Sequence, residues 1–244
     1  MLTLLAEVGT LTAMTGTPRE RARAQTMDDI TRIGREHLVA HGAAALSLRA
    51  VARDLGVVSS AVYRYVRSRD ELLTLLVIDG YTELGDEVDA AVGAAPPDDF
   101  RAQFRAIGIA VRDWALREPA RYALLFGTPV QGYDAPAEQT TGPGTRVIVA
   151  LISLFQRAYD AGALVVTDAV PIPDAMASDF AAIRAEYAVT IPDGTLARGV
   201  FVWSSLFGAV NFDVFDQYGA GTFTDRSQIY NHNLDVMAET LGLQ

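Results

Sequence analysis

The sequence predicts an all-α fold in three parts. Residues 1–25 read as a flexible arm, residues 26–75 as a three-helix helix-turn-helix unit, and residues 76–244 as a larger helical body joined to it by a linking helix. Three observations carry this. Apolar residues recur three and four apart between Gly and Pro breaks, and the body shows no sustained strand alternation. The stretch Leu48–Glu71, LRAVARDLGVVSSAVYRYVRSRDE, reads as two short helices about a tight turn at Gly56. Arginine is concentrated towards one end of an acidic chain.

The 244 residues are 50% hydrophobic and 20% charged, a globular balance with enough length for a sizeable core. Net charge is −10, which at first argues against a nucleic-acid partner. Its distribution reverses that. Between Pro18 and Asp70 ten Arg face six Asp and Glu, a local +4 that leaves −14 elsewhere. A basic end on an acidic body suits a module that binds DNA while the remainder repels it. Every Lys-or-Arg position is Arg, the side chain that suits phosphate and guanine. The absence of Cys excludes disulfides, thiol redox sensing and Cys-ligated metals. The opening MLTLLAEV is too short to span a bilayer, and Glu7 interrupts it. It also lacks the preceding positive charge and small-x-small site of a signal peptide, so a cytoplasmic protein with no membrane partner is expected. Met14 and Met27 stand beside Met1 as alternative starts.

Residues 15–25, TGTPRERARAQ, place Arg19, Arg21 and Arg23 in a polar leader. It is either a basic arm that follows phosphates or enters the minor groove, or a solvated tail. Thr26 opens a Thr-x-x-Asp cap, with Ile30, Ile33, Leu38 and Val39 on one face of the first helix and Gly42 at its end. His37 and His41 are four apart, a spacing that could hold a metal, but no third ligand stands nearby. Complementing the helix dipole is the preferred reading, and no metal is expected. Ser47 is the predicted N-cap of a helix over Leu48–Leu55. Ala52 permits close helix approach, Gly56 supplies the turn, and Val51, Leu55, Val57 and Val62 lock the pair against the first helix. With Ser59 as cap, Ser59, Ser60, Tyr63, Arg64 and Arg67 fall within about 140° of helix surface at ~100° per residue. Such a stripe is small where backbone meets base edges and basic where phosphates lie. Ser60 and Arg64 are the expected base readers.

The run VARDLGVVSSAVYRYVRSRDELL resembles the N-terminal signature of tetracycline-repressor-like (TetR) transcriptional regulators, over about residues 26–76. The resemblance implies a three-helix DNA-binding domain, an all-helical ligand-binding and dimerisation domain, and phosphate contacts from Tyr63, Tyr65 and Arg67. Ser47, Arg49, Ser59, Ser60, Ala61, Tyr63, Arg64, Tyr65 and Arg67 together form the expected DNA-binding set. Its implied partners are double-stranded operator DNA, a second copy of the chain, and a small hydrophobic or aromatic effector.

Ser68-Arg69-Asp70-Glu71 is a capping box that starts the linking helix, whose stripe Leu72, Leu73, Leu76, Gly80, Leu84 and Val88 runs to about Val92. Beyond the break at 93–97, Asp98 caps a helix to Glu118 and Pro119 opens one ending at Gly127. Residues 128–145 read as a long loop. Helices are expected over 145–161, 174–189, 194–218 and 225–241, with the last two forming a dimer face by resemblance. FGTPVQGYDAP and WSSLFGAVNFDVF resemble the TetR subgroup with a Trp-His-Gly-type C-terminal domain, with Phe207 where the His would sit.

Trp114, Tyr122, Phe126, Phe155, Tyr159, Trp203 and Phe207 read either as ordinary core or as an effector pocket, the pocket following from the resemblance. GxSxG and P-loop patterns are absent, and no spaced cluster of metal ligands occurs. Neither a cofactor nor catalysis is expected. The reading is a DNA-binding regulator, a repressor released by a small molecule. A regulator without a ligand and a helical enzyme are the alternatives.

Overall fold

A computed structural model describes residues 17–166 and 170–244. Residues 1–16, which hold most of the expected arm and the start at Met14, lie outside the described residues. Eleven α-helices and one 3-10 turn form among those described, with no strand beyond an isolated antiparallel bridge between Leu164 and Leu243. The chain divides into two compact units between Leu76 and Val77.

In the first unit, α1 spans Pro18–His41 and starts eight residues before Thr26. Its cap is Thr17. The Glu20 N–H donates to the Thr17 hydroxyl at 3.3 Å, and the Thr17 N–H donates to the Glu20 carboxylate at 2.8 Å. Pro18 stands at the first helical position, where its missing N–H costs nothing. Thr26 is therefore inside the helix, its hydroxyl donating to Ala22 O at 2.9 Å. Residues 18–25 are helix rather than arm. The buried face is Ile30, Ile33, Gly34, His37 and Leu38, while Val39, expected there, is 68% exposed. The small Gly34 lets Leu72 and Leu76 approach α1 closely.

Gly42, at φ +74°, ends α1, and a 3-10 turn over Ala43–Ala45 follows. Helix α2 spans Leu48–Asp54, and Gly56 at φ +71° makes the turn. The Gly56 N–H donates to Arg53 O and the Val57 N–H to Ala52 O, both at 3.0 Å, so the end of α2 is satisfied. Helix α3 covers only Ser59–Val62, though turn hydrogen bonds continue to Val66. Leu48, Val51, Ala52, Val62 and Val66 are buried. Val57, expected to lock the helices together, is exposed instead, as is Val58.

Helix α4, Arg69–Ala94, runs through the division between the units. Its start is half a capping box. The Glu71 N–H donates to the Ser68 hydroxyl at 3.1 Å, but the Glu71 carboxylate accepts from the Arg67 N–H at 2.6 Å rather than from Ser68.

The second unit comprises the rest of α4, α5 (Phe100–Arg117, capped by Asp99 rather than Asp98), α6 (Pro119–Phe126), α7 (Ala137–Gly144), α8 (Arg146–Asp160), α9 (Asp174–Tyr187), α10 (Asp193–Val214) and α11 (Arg226–Leu241). Helix α7 lies inside the stretch expected to be loop. Helix α5 is the axis, packing against α8, α10 and α11 through Phe104, Ile107, Val111 and Trp114. Polar groups in this core are matched: the Tyr230 hydroxyl donates to Gly108 O at 2.7 Å, and that of Tyr122 to the Asn211 side-chain oxygen at 3.0 Å. Arg121, 1% exposed, donates to Asp79 and Glu83 of α4 at 2.8 Å each and lies 5.4 Å from the Trp114 ring.

Candidate nucleic-acid interface

Two buried residues four apart, Val62 and Val66, hold α3 and the turns after it against the first unit. Ser60, Tyr63 and Arg64 are correspondingly exposed, while Ser59, Ala61 and Tyr65 are half-buried. Ser59 is not the cap. Val58 holds that position and makes no side-chain bond, so Ser59 is the first residue of the helix. Ser47 does occupy the N-cap position of α2, but its hydroxyl does not accept a capping bond. Arg49 is exposed on the first turn of α2.

Arg67 departs from the expected helical arc. It follows the last turn bond of α3, from the Val66 N–H to Val62 O. Its backbone N–H is held by Glu71, and its guanidinium reaches the same carboxylate at 3.4 Å while 86% exposed. Arg67 thus belongs to the connection between α3 and α4. The Arg23 guanidinium of α1 lies over the half-buried Tyr65 ring, 5.3 Å from its centre. The sequence places Arg23 in a basic leader and does not show that it stands on a helix beside Tyr65. The full capping box at Thr17–Glu20, with Pro18 inside it, was the available signal.

The scaffold behind α3 is tied by charge as well as packing. The His37 Nε2 and Asp54 Oδ2 atoms lie 2.6 Å apart, joining α1 to α2. The bond from His37, followed by that from Arg53, holds the Asp54 carboxyl below its ordinary range. Arg69 donates to Ala43 O at 3.0 Å, fixing the start of α4 to the 3-10 turn.

The electrostatic contrast between the units is in the partners of their arginines. In the second unit at least eight of the ten Arg pair with a carboxylate among the described residues, including Arg112 with Asp213 and Arg146 with Asp86. In the first unit Arg19, Arg21, Arg23, Arg49 and Arg64 have no carboxylate partner among the described residues. All five are exposed. Uncompensated guanidinium groups in a chain of net charge −10 are suited to an external anion.

The aromatic set in the body does not converge on one point. Trp114, Tyr122 and Phe155 are buried, and the Trp114 Nε1 donates to Glu83 at 3.2 Å. Tyr122, Phe126, Phe207 and Trp203 form a row of ring contacts at 5.0, 4.8 and 6.2 Å. Among the described residues no ring contact joins Trp114, Phe155 or Tyr159 to that row. A cavity of about 390 Å³ lies beside α4, with Val77, Tyr81, Leu125, Val130, Tyr133 and Thr140 in its wall and none of the seven. Burial, followed by the neighbouring Tyr133, raises the Tyr81 phenol above its ordinary range, so it is a neutral donor there.

The comparisons with known proteins agree with this arrangement. The model for bacterial regulatory proteins of the tetR family matches residues 30–76, and that for the tetracyclin repressor-like C-terminal domain matches residues 104–237. The chain is 44% identical over 224 residues to the HTH-type transcriptional regulators Rv1816 of Mycobacterium tuberculosis (strain ATCC 25618 / H37Rv) and Mb1846 of Mycobacterium bovis (strain ATCC BAA-935 / AF2122/97), covering 92% of this chain and 95% of each relative. The crystal structure of SCO4313 superposes with a TM-score of 0.73 at 30% identity, over 91% of this chain and all of that one. A protein of unknown function from Rhodococcus sp. RHA1 shares the fold, with a TM-score of 0.68 at 18% identity over 95% and 99% of the two chains. With its unpaired arginines around a helix-turn-helix and both halves matched, the chain belongs to the tetracycline-repressor (tetR) family and is a DNA-binding transcriptional regulator.

Proposed function

We propose that this regulator is a homodimeric repressor, bound to a palindromic operator through α3 and released when a small uncharged molecule occupies the body. The cavity beside α4 is the observation that carries ligand response. Val77 and Tyr81 of its wall lie on the helix that begins, at Arg69, in the DNA-binding unit. A ligand changes operator affinity only by binding one arrangement of that helix better than another. The wall contains apolar groups, phenols and threonines without a charged side chain, which favours a neutral effector with an aromatic or aliphatic body and a hydrogen-bond acceptor. The row Tyr122, Phe126, Phe207 and Trp203 is the second candidate site.

A second copy is the proposed occupant of the face formed by α10 and α11. Phe201, 62% exposed, and Phe212, 46% exposed, stand eleven residues apart on one face of α10 and give it more exposed aromatic surface than a free helix face ordinarily carries. Dimerisation holds two readers about one DNA turn apart, roughly 34–36 Å, so that they meet successive half-sites. Within the family we place the body in the Trp-His-Gly group on its segments Phe126–Pro136 and Trp203–Phe215. Phe207, at the His position, stacks on Phe126 and offers no imidazole. Its proposed place of action is the cytoplasm.

For the operator, Ser60 and Arg64 are assigned to bases and Ser47, Arg49, Ser59, Ala61, Tyr63 and Arg67 to the flanking backbone. Fluorescence anisotropy of the full chain on an operator selected from random DNA tests the reading. Binding should weaken as salt rises and as a ligand found by thermal stabilisation is added. At 100 times its dissociation constant such a ligand stabilises by about 2.7 kcal/mol. A stabilising ligand that leaves operator affinity unchanged would contradict release.

A further inference from the structure

We propose that the first two turns of α1 form a second DNA-contacting surface, in which Arg19 and Arg23 hold backbone phosphates beside the strand read by α3. This rests on the DNA-binding role of the first unit. The Arg23 guanidinium lies over the Tyr65 ring, so the start of α1 runs beside the chain that leaves α3. That end of a groove-bound helix is where the phosphates stand. Arg19 and Arg23 are four residues apart on one helix face, about one 5.4 Å turn along it. Neither has a carboxylate partner among the described residues, and the neighbouring Glu20 is turned to the Thr17 N–H.

The chemistry of the stack fits the role. Held at 5.3 Å by the ring's negative face, the Arg23 guanidinium commits no N–H to a carboxylate, and its N–H groups stay available to a phosphate. Tyr65 is then a positioning residue that holds Arg23 at the groove edge, rather than a direct phosphate contact. Arg21 provides an internal control. Two residues from Arg19, it projects about 200° round the helix at ~100° per residue, away from this face.

The test compares the full-length protein with R19A, R23A, R21A, Y65F and Y65L on a selected operator with flanking duplex, measuring log Kd against log salt. R19A and R23A should each lower the slope by about 0.9 per protomer, the value of one released phosphate contact. The selected base sequence should not change. R21A, with the same change of charge, should keep the parental slope. Y65F, which keeps a ring under Arg23, should match the parent, and Y65L should follow R23A. Unchanged slopes in R19A and R23A, or an equal fall in R21A, would overturn the proposal and point to an acidic protein partner for these arginines. A parent that shows no salt-dependent operator binding would overturn the DNA-binding reading and this one with it, and is told apart because the parent is measured first.

Discussion

Asp54 shows how a single exposed side chain supports the reading surface from behind. It faces His37 across the α1–α2 contact, with Arg53 beside it, and its carboxyl is held below the ordinary 3.8. A depressed carboxyl contributes stability that is complete above its unfolded value and lost as pH falls through its folded one. Asp54→Ala should therefore melt below the parent at neutral pH, and the two melting curves should converge only as pH falls well below 3.8. Equal melting temperatures at pH 7 would show that the pair contributes nothing. Arg121 is the larger case, since it is buried between two carboxylates of α4. Arg121→Leu removes the shared cation from Asp79 and Glu83 and should destabilise the second unit by about 3–5 kcal/mol, read from urea unfolding. Position 121 was anonymous in sequence, because nothing local to Pro119–Phe126 tells that α4 will supply partners some forty residues away.

At the scale of elements, the turn between α2 and α3 is set by one backbone angle. Gly56→Ala places a β-carbon at φ +71° in open space, so strain is the only effect to measure. It should cost about 1–2 kcal/mol in unfolding free energy. This turn, α2 and the extents of α5, α6, α8, α9 and α11 were legible because caps, Pro and Gly stood where helices end, whereas α10 stops at Val214 rather than 218. Three further features were not legible. The start of α1 was hidden by the polarity of TPRERARAQ, although Thr17 and Glu20 formed a complete cap. Helix α7 has the composition of a loop, with Pro143 and two Gly, and is anchored instead by its buried Thr140, whose hydroxyl donates to Pro136 O at 3.0 Å. The short α3 broke the assumption of one continuous helix through Arg67, because Glu71 takes the Arg67 N–H that a longer α3 would have used. The nine residues proposed for DNA were legible as a group flanking Gly56, but the Arg23–Tyr65 contact was not, since it depends on residues 42 apart in sequence.

Across the whole molecule the organising feature is how charge is spent. The body neutralises most of its arginines internally, whereas the first unit leaves five exposed without a carboxylate partner among the described residues. Replacing Phe201 and Phe212 together by Glu should yield monomers by light scattering and weaken operator binding, because each half-site would then be bound alone. A dimer that survives both changes would place the interface elsewhere. The central claim, that α3 reads sequence in the major groove, is tested most directly by selecting binding sites from random DNA with the parent, S60A, R64A and R67A. The account predicts a palindromic consensus with half-sites spaced by whole DNA turns of about 10–10.5 base pairs. S60A and R64A should alter the preferred base at distinct positions in each half-site, whereas R67A should leave the consensus intact and only weaken binding. An unchanged consensus in both S60A and R64A would contradict it.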